Sequence, residues 1–308
     1  MRIVEYDGQA RFPREPSAVT VGSFDGVHRG HRKIISRMVS IARQRGLRSV
    51  VVTFEPHPRR VLKGGVSGPL GLLTTLDEKV ELLQAELVDM LCVVRFTPEF
   101  AVRSSDNFIR SLLVGEIGAE CVVVGYDHGF GRNRSGGGDE LRQLGNELGF
   151  DVVEVDEVRI EHEHFSSTRI RSLLAEGRME EANSFLGAPY MISGTVVEGE
   201  GNGRKIGFPT ANILPPDPHK LLPKAGVYAA TTVIDGNAYR AMMNVGVRPT
   251  VSSLGVTTVE AHILGWSGSL YGRELRFSLL RFLRDEKKFD SLDALREQIE
   301  KDKKGVEL

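Results

Sequence analysis

His28 and His31 stand three residues apart at the end of Val19-Thr20-Val21-Gly22-Ser23-Phe24-Asp25-Gly26-Val27-His28-Arg29-Gly30-His31. A β-branched run stops at Gly22, and from His28 onward Ile34, Ile35, Met38 and Ile41 fall on one helical face. The order is strand, tight turn, helix. A helix start leaves backbone N–H groups without intrahelical partners, and an anion can take them. Gly22, Gly26 and Gly30 let a bulky ligand come close to the backbone. Helical spacing puts both imidazoles on one side. Such a pair beside a phosphate-binding turn can stabilise charge on a transferring phosphoryl group. It could equally hold a metal, or contain one histidine with a purely structural part. No G-x-x-x-x-G-K-[ST] sequence occurs, which argues against a Walker-type ATPase.

Four further segments carry reactive residue types. Phe54-Glu55-Pro56-His57-Pro58 ends a β-branched run, and its prolines are expected to fix a loop and prevent helix continuation. Gly125–Gly136 mixes glycine with Asp127, His128, Gly131, Arg132 and Arg134; the arginines can neutralise phosphates, and Asp127 can hold a divalent cation or orient a ribose or phosphate. Ser166-Ser167-Thr168-Arg169-Ile170-Arg171 puts hydroxyls and arginines at the start of a short helix, either a phosphate site or an ordinary N-cap. Gly194–Asn212 is a Gly-rich flap whose amides can wrap phosphates. In it, Thr210 and Asn212 point the same way if extended and suit a hard cation such as Mg²⁺. The alternation Glu161-His162-Glu163-His164 is compatible with a metal site or an exposed strand edge.

The elements that must position these residues fall into two halves. Residues 1–187 alternate strands (Ala18–Val21, Ser49–Phe54, Met90–Phe96, Glu120–Val124, Asp151–Val158) with helical stretches (Thr75–Leu87, Phe108–Val114). That predicts a doubly wound α/β domain with a parallel sheet, whose ligands sit at the carboxyl ends of the strands. Residues 188–308 carry short alternating runs at Tyr190–Val197, Gly226–Ile234, Ala238–Val245, Val256–Leu264 and Glu274–Leu283. They predict a closed antiparallel barrel, and Ser291–Lys301 predicts a helix packed on it. The 308 residues suit two domains.

Lys+Arg number 40 against 41 Asp+Glu, so no general electrostatic footprint for nucleic acid or membrane is expected. Cys92 and Cys121 each lie in an apolar run and are expected as buried thiols in a reducing compartment. With no leader-like segment and no apolar run long enough to span a bilayer, the expectation is a cytoplasmic protein, monomeric or weakly self-associating.

Gly22-Ser23-Phe24-Asp25-Gly26-Val27-His28-Arg29-Gly30-His31 resembles the H-x-G-H signature of nucleotidyltransferases, in the form found in bacterial bifunctional riboflavin kinase/FAD synthetases. The resemblance implies that Gly22, Phe24, Asp25, Gly26 and Gly30 form the nucleotide-binding turn, with His28 and His31 stabilising charge. Pro56 and His57 match the family's F-x-P-H-P loop, which lines the flavin and nucleotide site. Asp127, Gly131 and Gly136 match its G-x-[DN]-F-x-F-G-x-x-x-x-G stretch, with His128 in place of the usual aromatic residue. Ser166, Ser167, Thr168 and Arg171 match S-S-T-x-x-R. This implies that the hydroxyls of Ser167 and Thr168 hold triphosphate oxygens and that Arg171 stabilises departing pyrophosphate.

The second half is similar to the riboflavin kinase signature through Gly199, Gly203, Arg204, Gly207, Pro209, Thr210, Ala211 and Asn212, and again through Asn244-Val245-Gly246-Val247-Arg248-Pro249-Thr250. Thr210 and Asn212 are implied supports of Mg²⁺–ATP, and Glu260, in Thr258-Val259-Glu260-Ala261-His262, the general base. The implied activity is phosphorylation of riboflavin to FMN, then adenylylation of FMN to FAD, both with ATP. The alternatives are an FAD synthetase with a non-catalytic flavin-binding barrel, or a flavin-sensing regulator.

Overall fold

In a computed structural model of the chain, which describes all residues except 9–12, 63–69, 127–137, 157–158, 161–162, 200, 249–255 and 308, two compact units form: residues 1–70 with 76–166, and residues 71–75 with 167–308.

The first unit runs β1 (Arg2–Tyr6), β2 (Ser17–Val21), α1 (Arg29–Arg45), β3 (Arg48–Glu55), α2 (Pro58–Val61), α3 (Leu76–Ala85), β4 (Met90–Arg95), α4 (Pro98–Ala101), α5 (Ser105–Phe108), a π-helical stretch (Ile109–Ile117), β5 (Ala119–Gly125), α6 (Gly138–Leu148), β6 (Asp151–Val155), β7 (Arg159–Ile160) and β8 (Glu163–His164). The six strands β1-β4-β3-β2-β5-β6 form one sheet in that order, and every neighbouring pair is parallel. The chain builds outward from β2 to β3 and β4, then returns to β2's other side as β5. A topological switch point therefore lies between β2 and β5, where open α/β sheets bind ligands beyond their carboxyl ends.

The valine-rich runs form strands because each is covered on both faces. Val19, Val21, Val50, Val52, Cys92 and Val122 pack on one side against Ile109, Leu112 and Leu113. Ala18, Val51, Leu91, Cys121 and Val123 pack on the other against Ile35, Met38 and Leu83. Cys92 and Cys121 thus serve opposite layers, and burial pushes the Cys92 thiol up to about 12. The edge strand β1 and helix α6 are elements the sequence reading omits. The helix expected at Phe108–Val114 starts earlier, as α5, and widens to π winding over Ile109–Ile117. Gly115 belongs to that winding, because a Cβ there would stand 3.0 Å from the Arg110 carbonyl, five residues back.

Gly118 closes the π-helical stretch at φ 84°. A Cβ on it would meet the Glu15 carbonyl oxygen at 2.6 Å. Gly118→Ala is therefore expected to destabilise the first unit by about 1–3 kcal/mol, read as a lowered denaturation midpoint.

The second unit contains α7 (Ser167–Glu176), α8 (Met179–Leu186), β9 (Tyr190–Val197), α9 (Asn202–Lys205), β10 (Ala211–Leu214), β11 (Gly226–Ile234), β12 (Asn237–Arg248), β13 (Val256–Ile263), β14 (Glu274–Arg284) and α10 (Leu292–Glu307). Strands β10-β13-β12-β11-β14-β9 close into a barrel, and all neighbours are antiparallel. Ile192, Val196, Ile213, Ala241, Met243, Val259, Ala261 and Phe277 are buried at alternate positions of these strands. Helix α10 starts on Ser291, whose hydroxyl accepts from the Ala294 N–H at 3.2 Å. Its Val306 packs in a cluster with Ala229 and Met242. Arg284 clasps Asp302 of this helix through Nε at 2.9 Å and Nη2 at 2.7 Å, while Arg240 and Arg281 donate to the carbonyls of Val306 and Gly305 in its last turn.

Helices α7 and α8 belong to this unit. Asn183 Nδ2 donates to the Leu279 carbonyl at 2.9 Å, its Oδ1 accepts from the Tyr190 N–H at 2.7 Å, and the Lys224 N–H donates to the Leu174 carbonyl at 2.9 Å. The segment Gly71–Thr75 belongs to it too. Leu72 exchanges backbone hydrogen bonds with His219 and Leu221, and Lys220 Nζ donates to the Leu73 carbonyl at 2.7 Å. Among the described residues, no helix is long and apolar enough to cross a membrane.

Candidate active sites

In the first unit β2 delivers the chain to the switch point, and the turn that follows is held in an uncommon backbone form. Phe24 and Val27 adopt φ 45° and 39°, with Gly26 at 83°. Burial fixes these conformations: Phe24, Asp25, Val27 and His28 are all buried. His28 is the N-cap of α1, its Nδ1 accepting from the His31 N–H at 3.3 Å. The two imidazoles stack, with ring centroids 3.6 Å apart and planes 16° from parallel, and Phe24 meets His31 edge-on at 5.2 Å. Imidazole lone pairs lie in the ring plane, so rings stacked face to face do not converge on one cation. The geometry suits two donors presented side by side. At Gly30 a Cβ would press on the His28 ring at 3.2 Å and on Phe165 at 3.3 Å, and at Gly22 on the Phe24 ring at 3.2 Å.

Among the described residues, His31 Nδ1 is buried with no hydrogen-bond partner. Burial, with His28 and Lys79 beside it, holds the His31 imidazole well below its ordinary range, so it is neutral at neutral pH. Lys79 of α3 is 3% exposed, and burial lowers its ammonium while the charges of Asp25 and Glu55 raise it. Its Nζ donates to Thr53 Oγ1 at 3.4 Å, and that hydroxyl donates to the Ser23 carbonyl at 3.2 Å. Nothing in the sequence singles Lys79 out. In Leu76-Asp77-Glu78-Lys79 it looks like one more charge on a solvated helix face.

After β3 the Glu55–Pro56 peptide is cis, and His57 is buried as N-cap of α2, accepting from the Arg59 N–H at 3.2 Å. The prolines do not only block a helix here, because Pro58 opens one at a first-turn position where its missing N–H costs nothing. Phe54 belongs to an aromatic cluster with Phe96, Phe100 and Phe108, at centroid distances of 5.5, 6.1 and 6.3 Å, which the sequence reading leaves unremarked.

Asp127, His128, Gly131, Arg132, Arg134 and Gly136 lie outside the described residues, as do the side chains of Glu161–His164 and of Pro249 and Thr250. Ser166 is the last residue of the first unit. Ser167 opens α7 in the second unit, followed by Thr168 and by Arg171, whose Nε donates to the Gly71 carbonyl at 2.8 Å.

The barrel brings its own cluster together through strand register. Glu260 of β13 lies directly across from Asn212 of β10 on one side and Asn244 of β12 on the other. All three are partly exposed while their neighbours Ala211, Val245, Val259 and Ala261 are buried, so they share the outer face. Thr210 Oγ1 donates to Glu260 Oε2 at 3.4 Å. Asn244 Nδ2 donates to Glu286 Oε1 at 3.3 Å, adding a second carboxylate to which the sequence alone assigns no role. His262, two residues along β13, meets the Pro209 carbonyl through Nδ1 at 2.8 Å and the Phe208 ring edge-on at 5.4 Å.

The flap holds a helical turn, α9. Phe208 N–H donates to the Gly203 carbonyl at 2.8 Å, and Arg296 of α10 donates through Nε to the Ile206 carbonyl at 3.1 Å. Arg204, Gly207 and Pro209 are exposed along it. Gly199 passes so close to Asn212 that a Cβ would stand 2.1 Å from its Nδ2. A hydroxyl, an amide and a carboxylate arranged in this way are hard oxygen donors of the kind Mg²⁺ takes together with substrate phosphates.

Comparison with known proteins assigns a family to each part of the chain. The FAD synthetase family model matches residues 12–169 and the riboflavin kinase model residues 186–307. The bifunctional riboflavin kinase/FMN adenylyltransferase of Listeria monocytogenes is 37% identical over 288 residues, covering 94% of this chain and 90% of that protein. The enzyme of the same name from Escherichia coli K12 is 38% identical over 291 residues, covering 94% and 91%. A solved structure described as a macrolide-efflux protein from Streptococcus pneumoniae is 30% identical, with a TM-score of 0.90 over 100% of this chain and 99% of that one. With two family models in sequence and relatives of this identity along nearly the whole length, the chain belongs to the bifunctional riboflavin kinase/FMN adenylyltransferase family.

Proposed function

We propose that this chain converts riboflavin to FAD in two ATP-dependent steps, the barrel (residues 188–308) making FMN and the α/β part (residues 1–187) adenylylating it. The observation that carries the reading is the Glu260 cluster. A carboxylate stands between two amides and within reach of a hydroxyl, on the strand face that the Gly-rich flap adjoins.

In the first step Glu260 accepts the proton of the riboflavin 5′-hydroxyl as that oxygen bonds to the γ-phosphorus of ATP and the bond to the bridging oxygen breaks, leaving ADP. Thr210 and Asn212 would hold the Mg²⁺ that accompanies ATP, which when bound neutralises phosphate charge. Asn244, across from Glu260 on the neighbouring strand, helps bind the substrates, and the flap residues Gly199, Gly203, Arg204, Gly207 and Pro209 cover the phosphates.

In the second step an FMN phosphate oxygen bonds to the α-phosphorus of a second ATP, and pyrophosphate leaves. His28 and His31 stabilise charge at the reacting phosphates. His31 does so as a neutral hydrogen-bond donor, which follows from its burial. Gly22, Phe24, Asp25, Gly26 and Gly30 shape the turn, Pro56 and His57 line the site, and the family resemblance adds Asp127 and Gly131 to the nucleotide-binding residues. Ser167 and Thr168 hold triphosphate oxygens, Ser166 belongs to the same nucleotide-binding motif, and Arg171 stabilises the departing pyrophosphate.

A chromatographic time course with ATP and Mg²⁺ tests this, starting from riboflavin and separately from FMN. FMN appearing first and FAD second supports both assignments. FAD from FMN with no FMN from riboflavin would leave a barrel that only binds flavin, and turnover in neither assay would overturn the enzyme reading. Gly199→Ala refines the test. Its Cβ must displace Asn212, so riboflavin phosphorylation is expected to fall about tenfold or more (~1.4 kcal/mol or more in the barrier) while FAD formation from supplied FMN is unchanged.

A further inference from the structure

We propose that Lys79 is a positioning residue of the adenylyl-transfer site, its ammonium tying α3 to the turn after β2 through Thr53 and Ser23, with its charge bearing on His31. The inference rests on the reading of the first unit given above, and it concerns a residue outside every motif that led to that reading. Charged side chains are almost never fully buried without a specific reason, because removing an ion from water is costly. Lys79 is nevertheless 3% exposed.

The relay Lys79 Nζ to Thr53 Oγ1 (3.4 Å) to Ser23 carbonyl (3.2 Å) links three elements and ends inside the nucleotide-binding turn itself. The acidic groups that act on Lys79 are Asp25, from that same turn and 1% exposed, and Glu55 at the end of β3. Among the described residues, His28 stacks on His31, Phe24 meets it edge-on, and Lys79 acts on it through its charge. Lys79 therefore does two things at once. It compensates the buried Asp25 carboxylate and so holds Phe24 and Val27 in their positive-φ conformations. It also opposes protonation of His31, which keeps one imidazole neutral beside its neighbour. A hydrophobic residue of similar length at this position would fill the space and supply neither.

The test uses the full chain carrying Lys79→Met and, separately, Lys79→Arg. Two readouts are needed: the pH profile of FAD formation from FMN and ATP, and the titration of His31 followed by NMR of isotopically labelled histidine. Lys79→Met is expected to slow FAD formation about tenfold or more and to move both the His31 titration and the acid limb of the profile to higher pH. Lys79→Arg, which keeps the charge, should leave the His31 titration near its wild-type position. Riboflavin phosphorylation by both variants should match wild type, which reports an intact chain. An unmoved His31 titration in Lys79→Met overturns the proposal, whether the rate falls or not. If the unsubstituted chain forms no FAD at all, the adenylyl-transfer reading fails instead, and the titration still decides whether Lys79 governs His31.

Discussion

Glu260→Ala is expected to lower kcat for FMN formation from riboflavin by about 10²–10⁴-fold, the usual loss when a positioned general base is removed. FAD formation from supplied FMN should stay within about twofold of wild type, since the proposed role of this carboxylate belongs to the first step alone. The effect is large because the register leaves Glu260 no equivalent. Its cross-strand neighbours are amides, Asn212 and Asn244, which cannot accept a proton at neutral pH. The other nearby carboxylate, Glu286, is engaged by Asn244 rather than by Thr210. Glu260→Gln sharpens the argument. It retains an oxygen for the Thr210 hydroxyl and the shape of the site but cannot act as a base, so its rate should resemble that of the alanine variant while its stability matches wild type. A glutamine variant with near wild-type kcat would remove Glu260 from the chemistry and direct attention to Glu286.

The division between what could be read in advance and what could not follows from where the information lies. Continuous runs such as Val50-Val51-Val52 and Val122-Val123-Val124 announce strands covered on both faces, and their alternate residues do serve two different core layers. Strand β1 gave no such signal, because at the sheet edge only Tyr6 of Arg2–Tyr6 is buried. The π winding at Ile109–Ile117 was invisible as well, since a single stretch of i→i+5 hydrogen bonds has no residue-type signature of its own. Within the sites, the glycines were legible because a missing Cβ is itself a backbone demand: Gly26 takes φ 83° in the turn after β2, and at Gly30 a Cβ would press on the His28 ring. Lys79 and Glu286 were not legible. Their burial or pairing is made by residues distant in sequence, Thr53 with Asp25 in one case and Asn244 in the other. The placement of α7 and α8 with the barrel unit was hidden for the same reason, because Leu174 and Asn183 bond to residues far along the chain.

His28→Ala should reduce FAD formation from FMN by about 10²–10³-fold, the range for removing one preorganised donor from developing charge, with riboflavin phosphorylation intact. The difficulty in reading such a variant is that His28 holds structure as well: its Nδ1 caps α1 and its ring supports His31. Losing the cap alone destabilises by about 1 kcal/mol, which lowers the melting temperature of the first unit without accounting for a hundredfold rate loss. His28→Asn separates the two parts. Asparagine is among the best N-cap residues, so the helix start and most of the stability should return. Its short amide does not reproduce an imidazole stacked at 3.6 Å on His31, so the rate should not return. Recovery of both rate and stability in the asparagine variant would reduce His28 to a cap. Recovery of stability alone assigns its ring to the phosphates, because the cap is then present and the chemistry is still missing.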